Sequence, residues 1–313
     1  MVDVCEEFDV YDLEKLSEPV NNTPFADRVA TNAGYAHMYH LKYFAELPEE
    51  VLMNCVIEHG FYTMKGAYIY EIMQDASAIL TFSSFRKEII ESLYDIKAIP
   101  IGPYIRYVGG LISDEETKEL HQRNGRTLLV MPAHCSREES KLYDFDELFV
   151  TIDKLRKDFE KVIISLPIFD LQRGVNNVFI EKGYDVVAVG CGTDRKYLRR
   201  LKTLIELSDA VFANAFTTGL VYAVSLNRPV YLLNQEIIIK NEVKTLYRTE
   251  ETEIVDKFIE VARDKTFGNI SAQIEWGIKY AGFDCLKNKD ELKKILLENS
   301  RRDSVGRPEL YGK

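Results

Sequence analysis

Ser208–Leu233 reads SDAVFANAFTTGLVYAVSLNRPVYLL, and this run constrains the fold more than any other part of the chain. Ala210–Ala213 is a short uninterrupted apolar stretch, the pattern of a strand buried on both faces, and Val230–Leu233 repeats it after the turn Asn227-Arg228-Pro229. Between them, Thr217, Thr218 and Gly219 open a helix that continues through Val221, Tyr222 and Val224. Strand, helix and strand at this spacing require a parallel pair with a helical crossover, hence an α/β sheet. The first N–H groups of a helix lack partners within it and carry partial positive charge, so a turn of small residues there suits a phosphate. Ser, Thr and Asn are also ordinary helix caps, and the residues alone leave both readings open.

The alternation extends upstream. Thr127–Met131, Val162–Leu166 and Val186–Gly190 read as strands, with helices at Phe145–Phe159, Asn176–Lys182 and Lys196–Leu207. In the first half, Val51–Ile57, Ala76–Phe82 and Lys97–Ile101 read as strands, Phe85–Leu93 as a helix, and Thr23 to Glu46 has helical spacing. Ser113–Arg126 is polar and carries the turn pair Asn124-Gly125, so it is the expected domain boundary. A chain of 313 residues favours two domains. The expectation is residues 1–118 as one α/β domain, 119–250 as a second, and helices near Glu253–Arg263, Ile270–Tyr280 and Lys289–Leu297 filling 251–313.

The segment N-x-x-T-T-G-L, starting at Asn214 after a strand that ends in SDAVF and followed by N-R-P-V, resembles the carboxyl-terminal half of GT-B glycosyltransferases and related sugar-nucleotide epimerases. The resemblance implies two Rossmann-like domains with a cleft between them, the amino-terminal one reduced, and terminal helices that cross back to it. It also implies that Asn214, Thr217, Thr218 and Gly219 lie against the phosphates of a nucleotide-sugar donor. Met131–Ser140, MPAHCSREES, resembles the first loop of the GT-B donor domain, which makes His134, Ser136 and Arg137 candidates for neutralising a leaving diphosphate. Cys135 beside His134 admits a thiol nucleophile as a remote alternative. In the loop Gly190-Cys191-Gly192-Thr193-Asp194, Gly192 and Asp194 are candidates for base or ribose contacts; the third glycine of a dinucleotide fingerprint is missing.

Glu58-His59-Gly60 follows a predicted strand and resembles the His-Gly motif of CDP-glycerol glycerophosphotransferases and certain capsule-type glycosyltransferases. There the histidine is the proposed general base, and an ordinary imidazole pKa near ~6.5 suits proton abstraction at neutral pH. Glu58 would orient that ring or act as base itself, and a histidine that merely caps a strand is the plain alternative. The family's following residues are answered loosely by Phe61, Tyr62, Thr63 and Lys65. Ser83-Ser84 before a helix is either a cap or an acceptor or phosphate site. Tyr35, Tyr39, Tyr43, Tyr62, Tyr68 and Tyr70 offer flat surfaces for sugars, although core packing explains most such rings, and Trp276 reads as packing.

The net charge of −10 argues against a general nucleic-acid partner, and the basic stretches Arg195–Arg200 and Arg301-Arg302 read first as solvated surface. Cys5, Cys55, Cys135, Cys191 and Cys285 are scattered without metal or disulfide spacing. Asp144-Phe145-Asp146 has the letters of a metal motif but precedes a predicted helix, so no metal and no cofactor are expected. The acidic opening MVDVCEEFDVYDLEK lacks an apolar leader, and a cytoplasmic protein without a transmembrane segment, with peripheral membrane contact still open, is the expectation. The resemblance implies a glycosyltransferase of surface-polysaccharide assembly, with a nucleotide-sugar donor and a saccharide or lipid-linked saccharide acceptor. A sugar-nucleotide 2-epimerase and a non-catalytic sugar-nucleotide-binding scaffold are the alternatives.

Overall fold

The computed structural model of the chain describes residues 8–27, 30–63, 66, 76–136, 139–241, 245–247 and 253–301. Cys5, Lys65, Tyr68, Tyr70, Arg137 and Arg302 lie outside the described residues. The chain divides into two compact units, neither contiguous in sequence. One comprises Asn21–Val108, Gly192–Arg195 and Gly277–Lys313, and the other comprises Met1–Val20, Gly109–Cys191 and Lys196–Trp276.

In the first of these, β1 (Cys55–Ile57), β2 (Ala78–Thr81) and β3 (Ala98–Pro100) form a parallel sheet in that order, with Cys55 opposite Ala78 and Ile79 opposite Ala98. Each strand is shorter than its apolar run suggested, because the flanking residues turn away into loops. Helix Ser84–Leu93 makes the crossover from β2 to β3, and its Ile90 packs on Val56, Ile79 and Ala98. Thr23 to Glu46 is not one helix. It forms 3-10 turns at Phe25–Asp27 and Ala30–Ala36 and an α-helix only at His37–Phe44, because Tyr35 and Ala36 both take left-handed backbone angles, φ 54° and 53°. The last helix, Lys289–Glu298, opens with a reciprocal Asn288–Glu291 capping box, and beyond it Ser300 forms a bridge with Met53.

The other unit holds β4 (Thr127–Val130), β5 (Glu139–Leu142), β6 (Lys161–Leu166), β7 (Asp185–Ala188), β8 (Ala210–Ala213), β9 (Val230–Leu232), β10 (Ile238–Asn241) and β11 (Thr245–Tyr247). Five of them make a parallel sheet in the order β7-β6-β4-β8-β9. Consecutive residues of β4 and β8 are buried throughout, so both faces of these strands are covered, as their unbroken apolar runs require. Leu128, Val130, Ile164, Ala188, Ala210 and Phe212 share a core with Leu148 and Ile152 of helix Phe145–Leu155 and Phe179 of helix Val175–Glu181.

Three segments singled out from the sequence take the following forms. Ser113–Arg126, the expected boundary, contains a helix, Asp114–Asn124, opened by a capping box between Ser113 and Glu116 and without a buried residue. The end of the Met131–Ser140 stretch belongs to β5, which pairs antiparallel with β10 in a separate sheet ordered β11-β10-β5. The stretch Arg195–Arg200 is not a solvated face: Arg200 is 2% exposed and forms a two-point ion pair with Asp9, and Arg199 donates to the Gly110 carbonyl.

Candidate functional site

In the five-stranded sheet β4 comes first in chain order, β6 and β7 are added on one side, and β8 and β9 on the other. The winding reverses between β4 and β8. Outside the carboxyl ends of such a strand pair the following loops diverge, and open α/β sheets bind ligands in the crevice they leave. The two loops singled out from the sequence leave the sheet at these strand ends: Met131–Ser136 after β4 and Asn214–Thr217 after β8.

A buried amide chain joins them. The Ala133 N–H donates to Asn214 Oδ1 at 2.7 Å, and Asn214 Nδ2 donates to Gln235 Oε1 at 2.9 Å. Gln235 Nε2 donates in turn to the Asp144 carbonyl and to Glu147 at 2.7 and 2.8 Å. Asn214 is fully buried, so its amide ties the loops together from within. Sequence reading missed Gln235, whose partner lies 21 residues away. The Cys135 N–H donates to Asp170 Oδ1 at 3.2 Å, and the Cys135 side chain is buried, which places it as packing.

Helix Thr218–Ser225 begins at this edge. Thr217 is extended and occupies the cap position without a side-chain cap bond, and Thr217, Thr218 and Gly219 are half-buried. A β-carbon at Gly219 would lie 3.1–3.2 Å from the Met131 thioether, so glycine lets the helix start pack closely on the end of β4. His134 and Ser136 are half-buried on the β4 loop. The arrangement presents backbone N–H groups and small hydroxyls at one sheet edge, the chemistry that holds a phosphate.

His59 belongs to the other unit. The segment before it in space is laid along β1 by side chains that imitate a strand: Asn32 donates to the Cys55 carbonyl at 2.9 Å and accepts from the Ile57 N–H at 3.0 Å, and the Thr31 hydroxyl donates to the Ile57 carbonyl. This brings Gly34 and Tyr35 onto His59. A β-carbon at Gly34 would stand 3.0 Å from His59 Nδ1, and the Tyr35 and His59 ring centroids are 4.9 Å apart. Burial holds the His59 pKa below the usual imidazole range, so the ring is neutral at pH 7 and able to accept a proton. His37 lies 5.5 Å from the Tyr35 ring and 4.7 Å from Tyr104; burial, with smaller contributions from His59 and His40, keeps its pKa well below the ordinary value.

Glu58, next to His59, is turned away into a fully buried ion pair. Its carboxylate accepts from Arg86 Nε at 3.1 Å, from Arg86 Nη2 and from the Thr81 hydroxyl. Burial raises its pKa, and Arg86 and Thr81 pull the other way. Ser83 is also buried and caps helix Ser84–Leu93 by accepting the Arg86 N–H at 3.1 Å, while Ser84 is exposed with its hydroxyl 3.7 Å from Cys285 Sγ.

Gly192 and Asp194 join Tyr35 and His59 in this unit. Tyr35 N–H donates to the Gly192 carbonyl at 2.5 Å, and a β-carbon at Gly192 would lie 3.2 Å from the Tyr35 ring. Asp194 is buried and accepts from Asn22 Nδ2 at 3.0 Å; Arg195 clasps Glu49 through both guanidinium ends at 3.2 and 3.0 Å. Sequence reading marked this loop but not its partners, which lie some 170 residues earlier.

Trp276 packs on Phe258 with centroids 4.6 Å apart and donates to the Ile254 carbonyl at 3.2 Å. Among the described residues, no cluster of three or more His, Cys, Asp or Glu side chains could hold a metal ion, and no helix is long and apolar enough to cross a membrane.

No protein-family model matches this chain, and no curated protein matches it. Among solved structures, it is similar to the wall teichoic acid polymerase TagF at 13% identity and TM-score 0.40, over 73% of this chain and 59% of that one. It is also similar to the catalytic domain of starch synthase IV from Arabidopsis thaliana bound to ADP and acarbose, at 10% identity and TM-score 0.34, over 73% of this chain and 57% of that one. The chain therefore spans less than two thirds of the length of either.

Proposed function

We propose that this chain is a glycosyltransferase that moves a sugar, or a polyol phosphate, from a nucleotide-activated donor to a hydroxyl acceptor. One observation carries the reading: both loops that the sequence marks as phosphate-binding leave the parallel sheet where its winding reverses. Donor phosphates are assigned to the start of helix Thr218–Ser225 and to His134 and Ser136, whose N–H and O–H groups stabilise the charge that develops as the nucleotide departs. Arg137 is assigned to the same role from the sequence alone. His59 takes the proton of the acceptor hydroxyl as its oxygen attacks the transferred carbon or phosphorus, and the bond to the nucleotide phosphate breaks. Glu58 supports this by fixing the end of β1 through Arg86, so its role is to position His59. A saccharide or lipid-linked saccharide acceptor and a role in surface-polysaccharide assembly are proposed from the resemblance of the His59 and Asn214–Gly219 motifs, and a cytoplasmic location from the scattered cysteines.

Hydrogen exchange with and without nucleoside diphosphates tests the placement. The reading expects added protection at residues 131–136 and 214–220, and His59→Ala should abolish transfer while leaving nucleotide affinity intact. Protection confined to other segments would overturn the donor assignment. Nucleotide release with no acceptor product would point to an epimerase or hydrolase, and binding without any turnover to a scaffold.

A further inference from the structure

Tyr35 and Ala36 are consecutive residues with side chains in the left-handed region, which β-carbon crowding makes uncommon and which persists only where surroundings enforce it. The enforcing contacts are on both sides of Tyr35. Upstream, Asn32 and Thr31 are fastened to β1; at Tyr35 itself the N–H is held by the Gly192 carbonyl; and downstream the chain enters helix His37–Phe44. The unusual backbone delivers the Tyr35 ring to three neighbours: His59 at 4.9 Å with planes tilted by 37°, His37 at 5.5 Å edge-on, and Gly192, where a β-carbon would stand 3.2 Å from the ring. Among the described residues neither nitrogen of buried His37 has a hydrogen-bond partner, and the ring meets Tyr35 edge-on. Glycines stand at the two points of closest approach, Gly34 against the Nδ1 edge of His59 and Gly192 against Tyr35, where a methyl group would press on the ring.

We infer that Tyr35 is the positioning residue for His59: its ring, aimed by the left-handed pair and clasped by Gly192, fixes the orientation in which the imidazole meets the acceptor. The inference rests on the reading of His59 as the base. A base displaced by about 1 Å can lose on the order of 100-fold in rate without any change in donor binding, so the effect belongs in kcat.

The test compares Tyr35→Leu, Tyr35→Phe and Gly192→Ala in the full chain. Tyr35→Leu should lower kcat at least tenfold with donor KM within twofold, Tyr35→Phe should keep kcat within about threefold, and Gly192→Ala should fall between them. Nitrogen-15 spectra of His59 supply a readout that needs no turnover: one dominant tautomer in the parent and in Tyr35→Phe, and a solvent-like mixture in Tyr35→Leu. Parent-like kcat and an unchanged His59 spectrum in Tyr35→Leu would overturn the inference. If Tyr35→Leu does not fold, Gly192→Ala decides: an unmoved spectrum and kcat overturn it. A parent with no transfer from any donor refutes the function reading instead, and the tautomer spectra still decide whether Tyr35 orients His59.

Discussion

Glu58→Ala should cost the three-stranded unit a large share of its stability, and the reason is local. Arg86 is fully buried, and the substitution removes the carboxylate that its Nε and Nη2 contact, while the Gly66 carbonyl at 2.8 Å and the face of the Tyr62 ring at 5.9 Å carry no compensating charge. Stranding a buried charge in this way costs about 3–5 kcal/mol, against a total stability of about 5–15 kcal/mol for a typical protein. With a urea m-value of about 3 kcal/mol/M, that loss lowers the midpoint by roughly 1–1.7 M. Native-state hydrogen exchange of the β1 and β2 amides reads this unit specifically. Removing both charges in Glu58→Gln/Arg86→Met should recover most of the loss, because no unpaired ion remains. If Glu58→Ala shifts those amides by less than about 0.5 kcal/mol, the range of an ordinary surface substitution, the ion pair is not what fixes the end of β1.

Gly282→Ala should destabilise by more than about 3 kcal/mol, since the added carbon would lie 2.1 Å from the Phe82 carbonyl at a backbone φ of +69°; a thermal melt checks this. Asp9→Asn should cost about 3–5 kcal/mol by uncoupling buried Arg200. Burial alone would raise the Asp9 pKa, but Arg200 and Lys15 hold it at about 2 against 3.8 unfolded, so its contribution is complete above ~4 and fades as pH falls toward 2; denaturation at pH 2 to 5 shows it. His37 has the lowered pKa of a buried neutral imidazole, so the unfolded chain binds its proton first and the native state loses stability as pH drops below ~6.5. Asp27, raised by burial to about 6, acts in the opposite direction, because it gains a proton more readily when folded and stability is lost as pH rises through 6. The difference between parent and His37→Phe isolates the histidine: the variant should lose up to about 1.4 kcal/mol of acid sensitivity per pH unit below ~6.5, whereas parallel curves would refute a neutral buried His37.

The second half of the chain was readable because β4 and β8 are buried along their whole length and β6 over its last four residues, so their apolar stretches stand out from the flanking turns. The cap at Ser83 was equally legible, and it accepts the Arg86 N–H of the helix it precedes; Asp144, read only for its metal-like spacing, caps its helix in the same way. The helix Asp114–Asn124 carried its Ser-x-x-Glu signature in plain view and was obscured only by its fully polar surface. What pattern reading could not supply depends on distant partners. Nothing local shows that Tyr35 and Ala36 are left-handed, since that conformation is imposed by Gly192 and β1 and no glycine or asparagine advertises it. Likewise the carboxylate of Glu58 looked catalytic beside His59 until Arg86, 28 positions on, was seen to hold it.

The central claim is that the edge between β4 and β8 binds a nucleotide, and ligand-dependent thermal stability measures it most directly. The protein would be melted against UDP, GDP, CDP, CMP and their sugar or polyol conjugates. At a free concentration of 100 Kd a ligand that binds only the folded state adds about 2.7 kcal/mol, so one nucleotide class should raise Tm by several degrees. The same shift should be lost when Gly219 is replaced by Val, whose side chain would press on Met131 at the start of the helix. A Tm unmoved by every nucleotide would contradict the claim and leave the polar loops at this edge as helix caps.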